Sequence, residues 1–187
     1  QSKNEGTLFD PINLDDYVTD PDNSTSELSW TVLGNTELSL NWNGHILSIL
    51  WPNENWHGLE ILTFIVSDPE GLSDTTSATF TIISVNDPPV ISGLQDQVIS
   101  VEEQFDPINL NNVVHDVDHP DNQLQWNYSG NSQLSVDIDA SNIATITKPT
   151  PSWLGNESIT FTVTDGDLSD SETVKFIVAE GNYPPVI

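Results

Sequence analysis

Hydrophobic and polar residues alternate in short runs along the whole chain. Leu28, Trp30 and Val32 alternate with polar neighbours, and so do Leu124, Trp126 and Tyr128. Leu38, Leu40 and Trp42 keep the same period, matched by Leu134, Val136 and Ile138. Leu62-Phe64-Val66 and Ile159-Phe161-Val163 form a third pair, and Ala78-Phe80-Ile82 and Val174-Phe176-Val178 a fourth. A period of two places alternate side chains on opposite faces of a strand, so each run predicts a strand with one buried face. No useful window carries a helical stripe. Clusters of Asn, Asp, Gly, Ser and Pro separate the runs, as turns between antiparallel strands require.

The matched runs belong to a longer repeat. Phe9-Asp10-Pro11-Ile12-Asn13-Leu14 recurs letter for letter as Phe105-Asp106-Pro107-Ile108-Asn109-Leu110. The same register carries Asp20 to Asp116, Asp22 to Asp118, Trp30 to Trp126 and Gly34-Asn35 to Gly130-Asn131. After a one-residue insertion it carries Trp56 to Trp153, Phe64 to Phe161 and Asp68 to Asp165. The insertion is then cancelled, and Pro88-Pro89-Val90 recurs as Pro184-Pro185-Val186. Such a register predicts two domains of one fold, residues 1–87 and 88–187, joined at Asn86-Asp87-Pro88-Pro89. The two prolines fix φ and remove donors, which makes the joint extended and stiff. Each domain has the length of one immunoglobulin-like antiparallel β-sandwich of about seven strands.

Charge narrows the partners. Three Lys and no Arg stand against 29 acids, a formal net charge of −26. That field repels itself, nucleic acid and anionic membrane surfaces, and it favours cations. The chain has no Cys, which excludes disulfides and thiolate-bound zinc. No apolar run approaches the ~20 residues of a membrane span. Several acids gather where loops are expected: Asp20 and Asp22, Asp116 and Asp118, Asp68 and Asp165, Glu5, and Glu102 with Glu103. Asn86-Asp87 sits in the joint. Carboxylate and carbonyl oxygens suit a hard cation, Ca²⁺ ahead of Mg²⁺.

Three segments resemble the motifs of tandem cadherin-like repeats of bacterial surface and secreted proteins. They are Val85-Asn86-Asp87-Pro88-Pro89-Val90, Val114-His115-Asp116-Val117-Asp118 and Phe161-Thr162-Val163-Thr164-Asp165-Gly166. The resemblance implies two cadherin-like sandwiches with calcium between them. It implies Glu5, Asn86, Asp87, Asp116, Asp118, Asn122 and Asp165 as the ligand set. It also implies that Asp20, Asp22 and Asp68 face a preceding repeat, and that Glu102 or Glu103 and Asn182 face a following one. Glu54 and Glu60 stand outside any such motif, and the second joint reads Asn182-Tyr183.

The remaining chemistry is bland. Trp30, Trp126 and Trp42 read as core, Trp56 and Trp153 as corner anchors beside Gly58 and Gly155, and Trp51 is open to core or ligand contact. His115 and His119 flank a loop and read as a surface pair without a third zinc ligand. Three Asn-x-Ser/Thr triplets, starting at Asn23, Asn127 and Asn156, are coincidences expected of an Asn- and Ser-rich chain. No nucleophile–base pair or phosphate loop stands out, so no enzyme is expected. The sequence predicts a calcium-rigidified repeat pair, a segment of a long extracellular adhesion or surface protein. Its partners would be neighbouring repeats and a protein or carbohydrate ligand on a cell surface. A passive spacer or binding module of a secreted hydrolase is the alternative.

Overall fold

A computed structural model describes residues 1–181, so Asn182 lies outside the described residues. Two compact units are present, Gln1–Val85 and a second that begins at Asn86. Apart from short 3-10 turns, the regular structure of the described residues is all β.

The first unit contains β1 (Ser2–Asn4), β2 (Ile12–Asn13), β3 (Ser29–Leu33), β4 (Ser39–Asn43), β5 (Ile46–Leu50), β6 (Gly58–Ser67) and β7 (Ser73–Ile83). One sheet runs β1-β7-β6-β3 and the other β2-β5-β4. β1 joins β7 in parallel, and the other pairs are antiparallel. Leu47, Ile49, Leu62, Phe64, Phe80 and Ile82 fill the space between the sheets.

The second unit contains β8 (Val90–Ile91), β9 (Gln97–Ser100), β10 (Ile108–Asn109), β11 (Val114–His115), β12 (Gln125–Ser129), β13 (Ser135–Ile138), β14 (Ile143–Thr147), β15 (Gly155–Thr164) and β16 (Ser169–Ala179). Its sheets β12-β15-β16-β9 and β10-β14-β13 reproduce those of the first unit. A further ribbon, β8-β11, is its addition.

The repeated Phe-Asp-Pro-Ile-Asn-Leu segment has the same task in both. The Phe9 ring meets the Phe80 ring edge-on at 5.3 Å, and Phe105 meets Phe176 at 5.1 Å. Gln1 brackets the Asp10 backbone, accepting from its N–H at 2.9 Å and donating to its carbonyl at 3.0 Å. Gln97 does the same to Asp106. The segment is thereby sewn to the first strand of each sandwich while its Phe enters the core.

A second repeated device is the loop between β3 and β4, and between β12 and β13. Glu60 falls on the inward row of β6, between Gly58 and Leu62, where a charge needs several donors to stay ionised. Its carboxylate accepts from Thr36 N, Thr36 Oγ1, Glu37 N and Leu38 N at 3.0, 2.7, 2.6 and 3.3 Å. Glu157 accepts from Ser132 N, Ser132 Oγ, Gln133 N and Leu134 N at 2.9, 2.6, 2.6 and 3.2 Å. Burial raises the pKa of both carboxyls, but these donors outweigh it and hold each below its ordinary value.

The tryptophans divide as expected with one exception. Trp30 and Trp126 pack on the cores, and Trp56 and Trp153 lie over Gly58 and Gly155 at the corners. Trp51 packs on the first core and donates Nε1 to the Thr7 carbonyl at 3.1 Å, a structural role. Trp42 corrects the core expectation. It continues the inward row of Leu40, but it stands opposite Leu47 one residue before the end of β4, and the residue is 40% exposed.

Candidate metal centre

The acids of the Asp-x-Asp loops are first of all turn residues. Asp20 Oδ1 accepts from Asp22 N and Asn23 N, both at 2.8 Å. Asp116 Oδ1 accepts from Asp118 N and His119 N at 2.9 and 2.8 Å. Asp165 Oδ1 likewise accepts from Asp167 N and Leu168 N at 2.7 and 2.8 Å. In each the short side chain replaces a backbone partner, the reason Asp is favoured there. One oxygen is used this way and the other remains.

At the start of the second unit the Asp116 and Asp165 carboxylates come together. Asn86 Nδ2 donates to Asp165 Oδ2 at 2.8 Å, and Asp87 N donates to Asp118 Oδ2 at 2.8 Å. Those bonds dock the joint onto the Asp116–Asp118 loop and the end of β15. The Asp116 side chain is 0% exposed, and its Oδ2 is buried with no hydrogen-bond partner among the described residues. Ligand atoms of Asp116, His119 and Asp165 all lie within 4.8 Å of one another. His119 Nδ1 stands 3.4 Å from Asp116 Oδ1 and is itself buried and unbonded. Donors from Leu168, Asn86 and Asp167 hold the Asp165 carboxyl below its ordinary pKa, so it is ionised across the neutral range.

Five of the expected ligands therefore share one network: Asn86, Asp87, Asp116, Asp118 and Asp165. Asn122 sits in the exposed 3-10 turn Asp121–Gln123 and makes no side-chain hydrogen bond to the cluster. Glu5 belongs to the first unit. Its side chain is 7% exposed, accepts from Val85 N at 3.0 Å and stands 3.8 Å from His57 Nδ1.

Asp68 accepts from Leu72 N at 2.8 Å, closing the β6–β7 turn. Asp22 is exposed. Glu103 accepts from Ser100 N at 2.8 Å while Lys148 Nζ donates to the carbonyls of Val101 and Glu103. Glu102 is exposed and makes no side-chain hydrogen bond.

Two residues of this end were not anticipated. His119 turns toward the acids, whereas His115 is the surface residue expected of both, with a side chain 75% exposed. Asp170 accepts from Ile91 N at 2.8 Å and fastens β8.

The donor set is chemically suited to a hard divalent ion. Carboxylate oxygens dominate, an amide can turn its oxygen inward, and a buried carboxylate oxygen lacks a partner. Asp116, Asp118, Asp165 and Asn86 would hold such an ion, while Asp87 enters the network through its backbone N–H. No helix among the described residues is long and apolar enough to cross a membrane.

No curated protein matches the chain. Among solved structures, mouse cadherin-23 EC22-24 is 20% identical, with 97% of this chain and 62% of that one covered and a TM-score of 0.52. Human mucin-like protocadherin EC1-2 is 14% identical, with 96% and 95% covered and a TM-score of 0.51. These likenesses concern the fold alone. The chain also matches an endo-fucoidan hydrolase from glycoside hydrolase family 107, with 23% identity over 84% of this chain and a TM-score of 0.39, and it spans 24% of that chain. The family profile of the bacterial Ig domain matches residues 2–82 and again 86–177. Repeat register, paired sandwiches, the family profile and the two cadherin likenesses agree: the chain belongs to the bacterial Ig domain family, in two tandem copies of cadherin-like fold.

Proposed function

We propose that the chain is a calcium-stabilised repeat pair of a long extracellular adhesion or surface protein, acting as a stalk or interaction module. The supporting observation is the buried, unpartnered Asp116 Oδ2 beside Asp165, in a network that also holds Asn86, Asp87 and Asp118. A buried polar oxygen left without a partner, as Asp116 Oδ2 is among the described residues, costs free energy. A divalent cation would supply the missing partner, relieve repulsion among the acids and tie the joint residues to the second unit. The function is then mechanical: an ion reinforces the hydrogen bonds that already hold Asn86 and Asp87 to the acidic loop and the end of β15. The chain's own side chains do the binding, and no reaction is required of them.

Calcium at ~10 mM, against a Kd of about 10⁻⁴–10⁻³ M, stabilises by roughly 1.4–2.7 kcal/mol. For a unit of this size that raises Tm by roughly 5–20 °C. Thermal unfolding of the full chain in EDTA, Ca²⁺ and Mg²⁺ at matched ionic strength measures it. Asp116→Asn should abolish the calcium increment while leaving the turn bonds to Asp118 and His119 available. An equal rise with Mg²⁺, or an unchanged rise in Asp116→Asn, would reduce the acids to a screened surface and leave a passive spacer.

A further inference from the structure

A calcium ion at the start of the second unit would take carboxylate oxygens and leave one inward atom without a task. His119 Nδ1 is buried and has no hydrogen-bond partner among the described residues, although its side chain is 40% exposed. It stands 3.4 Å from Asp116 Oδ1. That oxygen already accepts from the N–H groups of Asp118 and His119 at 2.9 and 2.8 Å. An imidazole N–H that meets a carboxylate closes to hydrogen-bond distance and points along it. Here the nitrogen and Asp116 Oδ2 are both buried and both unbonded. In the neutral ring with its proton on Nε2, Nδ1 presents a lone pair. A lone pair facing two carboxylates is repelled by them, and a cation among the three converts that repulsion into ligation.

The first unit shows that the turn itself does not need an imidazole. Asp20, Asn23 and Asp68 occupy the positions of Asp116, His119 and Asp165. Asn23 N donates to Asp20 Oδ1 at 2.8 Å, the bond that His119 N makes to Asp116. The ring is therefore an addition of the second unit. Asp116 and His119 come from one loop and Asp165 from the end of β15, and one ligand atom of each lies within 4.8 Å of the others. Among the described residues no other imidazole belongs to such a group of three. His45, His57 and His115 each face a single carboxylate, that of Asp15, Glu5 and Asp121.

We propose that this end of the second unit is a nitrogen–oxygen site. His119 Nδ1 joins Asp116 Oδ2 and an Asp165 oxygen to bind a borderline transition ion, of the Zn²⁺ and Co²⁺ class, in preference to Ca²⁺. The inference rests on the ion-binding reading above and names the ion its donors favour. Imidazole nitrogen suits zinc and its first-row neighbours, whereas Ca²⁺ and Mg²⁺ take oxygens. Asp118, the Asn86 amide oxygen and water are available to complete the shell.

The test uses the full chain near neutral pH in ~0.15 M salt, which screens the general acidic field. Zn²⁺ is titrated by calorimetry while the imidazole nitrogen resonances are followed, with Ca²⁺ in a parallel arm. One Zn²⁺ site at least about tenfold tighter than that for Ca²⁺ is expected. The Nδ1 resonance of His119 should move, with those of His45, His57 and His115 unmoved. His119→Asn keeps the turn found in the first unit. It should weaken Zn²⁺ by about tenfold or more, since even the loss of an outer partner of a ligand costs about 10–100-fold. Ca²⁺ affinity should stay within about twofold, because its oxygens remain. Asp116→Asn should weaken both ions.

Zn²⁺ that binds no more tightly than Ca²⁺, binds His119→Asn unchanged, or leaves Nδ1 unshifted would overturn the proposal. In each of those cases a Ca²⁺-specific rise in Tm would still uphold the calcium reading. Tight Zn²⁺ binding through His119 with no effect of Ca²⁺ would uphold the nitrogen–oxygen site and overturn calcium as its ion.

Discussion

Glu60→Ala should lower the stability of the first unit by roughly 3–5 kcal/mol. The substitution removes little apolar contact, so the loss is not a cavity effect. It strands three backbone N–H groups and the Thr36 hydroxyl, which all aim at one carboxylate. A bond to a charged acceptor contributes about 1.5–3 kcal/mol, and some of the stranded groups regain water. Glu157→Ala makes the same cut in the second unit. That carboxylate is half-buried where Glu60 is buried, so water replaces it more readily and about 2–3 kcal/mol is expected. Urea unfolding gives both losses, and hydrogen exchange at Thr36, Glu37 and Leu38 localises the first. A loss under 1 kcal/mol in Glu60→Ala would mean that the loop holds its shape without the carboxylate.

The same two groups set part of the acid sensitivity. Their folded pKa values lie below the ordinary 4.5. Their stabilisation is therefore fully present above the unfolded value and is lost as pH falls through the depressed folded one. Stability owed to them should be level from pH 7 to about 5 and decline below about 4.3. In the chain carrying both Glu60→Gln and Glu157→Gln, the decline between pH 5 and 3 should be shallower. An unchanged acid limb would place the linkage in other carboxylates.

What the sequence discloses follows from which rules are local. Alternation and the repeat register reveal the sandwiches because burial on one strand face acts at every second residue, in both copies. Asn86, Asp87, Asp116, Asp118 and Asp165 are legible for a related reason. Asp116, Asp118 and Asp165 recur at the loop positions of Asp20, Asp22 and Asp68, whereas Asp87 is replaced by Tyr183 in the second joint, and oxygen donors clustered in loops already suggest an ion. Glu60 and Glu157 escaped although their register is the same as that of Phe64 and Phe161. Each puts a carboxylate on the inward row of a strand, and that break of pattern at matched positions was the available signal. His119 has no such signal, because its Nδ1 turns inward only through the geometry of the Asp116 turn. Trp42 shows the limit of alternation: parity states which face a residue takes, not where the sheet stops.

Gly130→Ala should cost the second unit roughly 3–4 kcal/mol, and Gly34→Ala the first unit a similar amount. Both glycines are at positive φ, +93° and +97°. A left-handed conformation alone costs an alanine about 1–2 kcal/mol. The larger part is contact. A β-carbon at Gly130 would lie 2.6 Å from the Ser158 carbonyl oxygen, and one at Gly34 2.6 Å from that of Ile61. Neither carbonyl can retreat easily, because Ser158 pairs with Lys175 and Ile61 with Thr79 inside long antiparallel ladders. The loop would have to lift instead, pulling Ser132 and Gln133 away from Glu157, or Thr36 and Glu37 away from Glu60. Gly71 separates the two contributions, since its φ is also +93° and a β-carbon there meets nothing within 4 Å. Gly71→Ala should therefore show the conformational cost alone, about 1–2 kcal/mol, in the same urea titration. Equal losses at Gly71 and Gly130 would mean that backbone conformation, not the close approach to β15, is what requires glycine. A larger loss at Gly130 would make that glycine and Glu157 two parts of one clamp between the β12–β13 loop and β15.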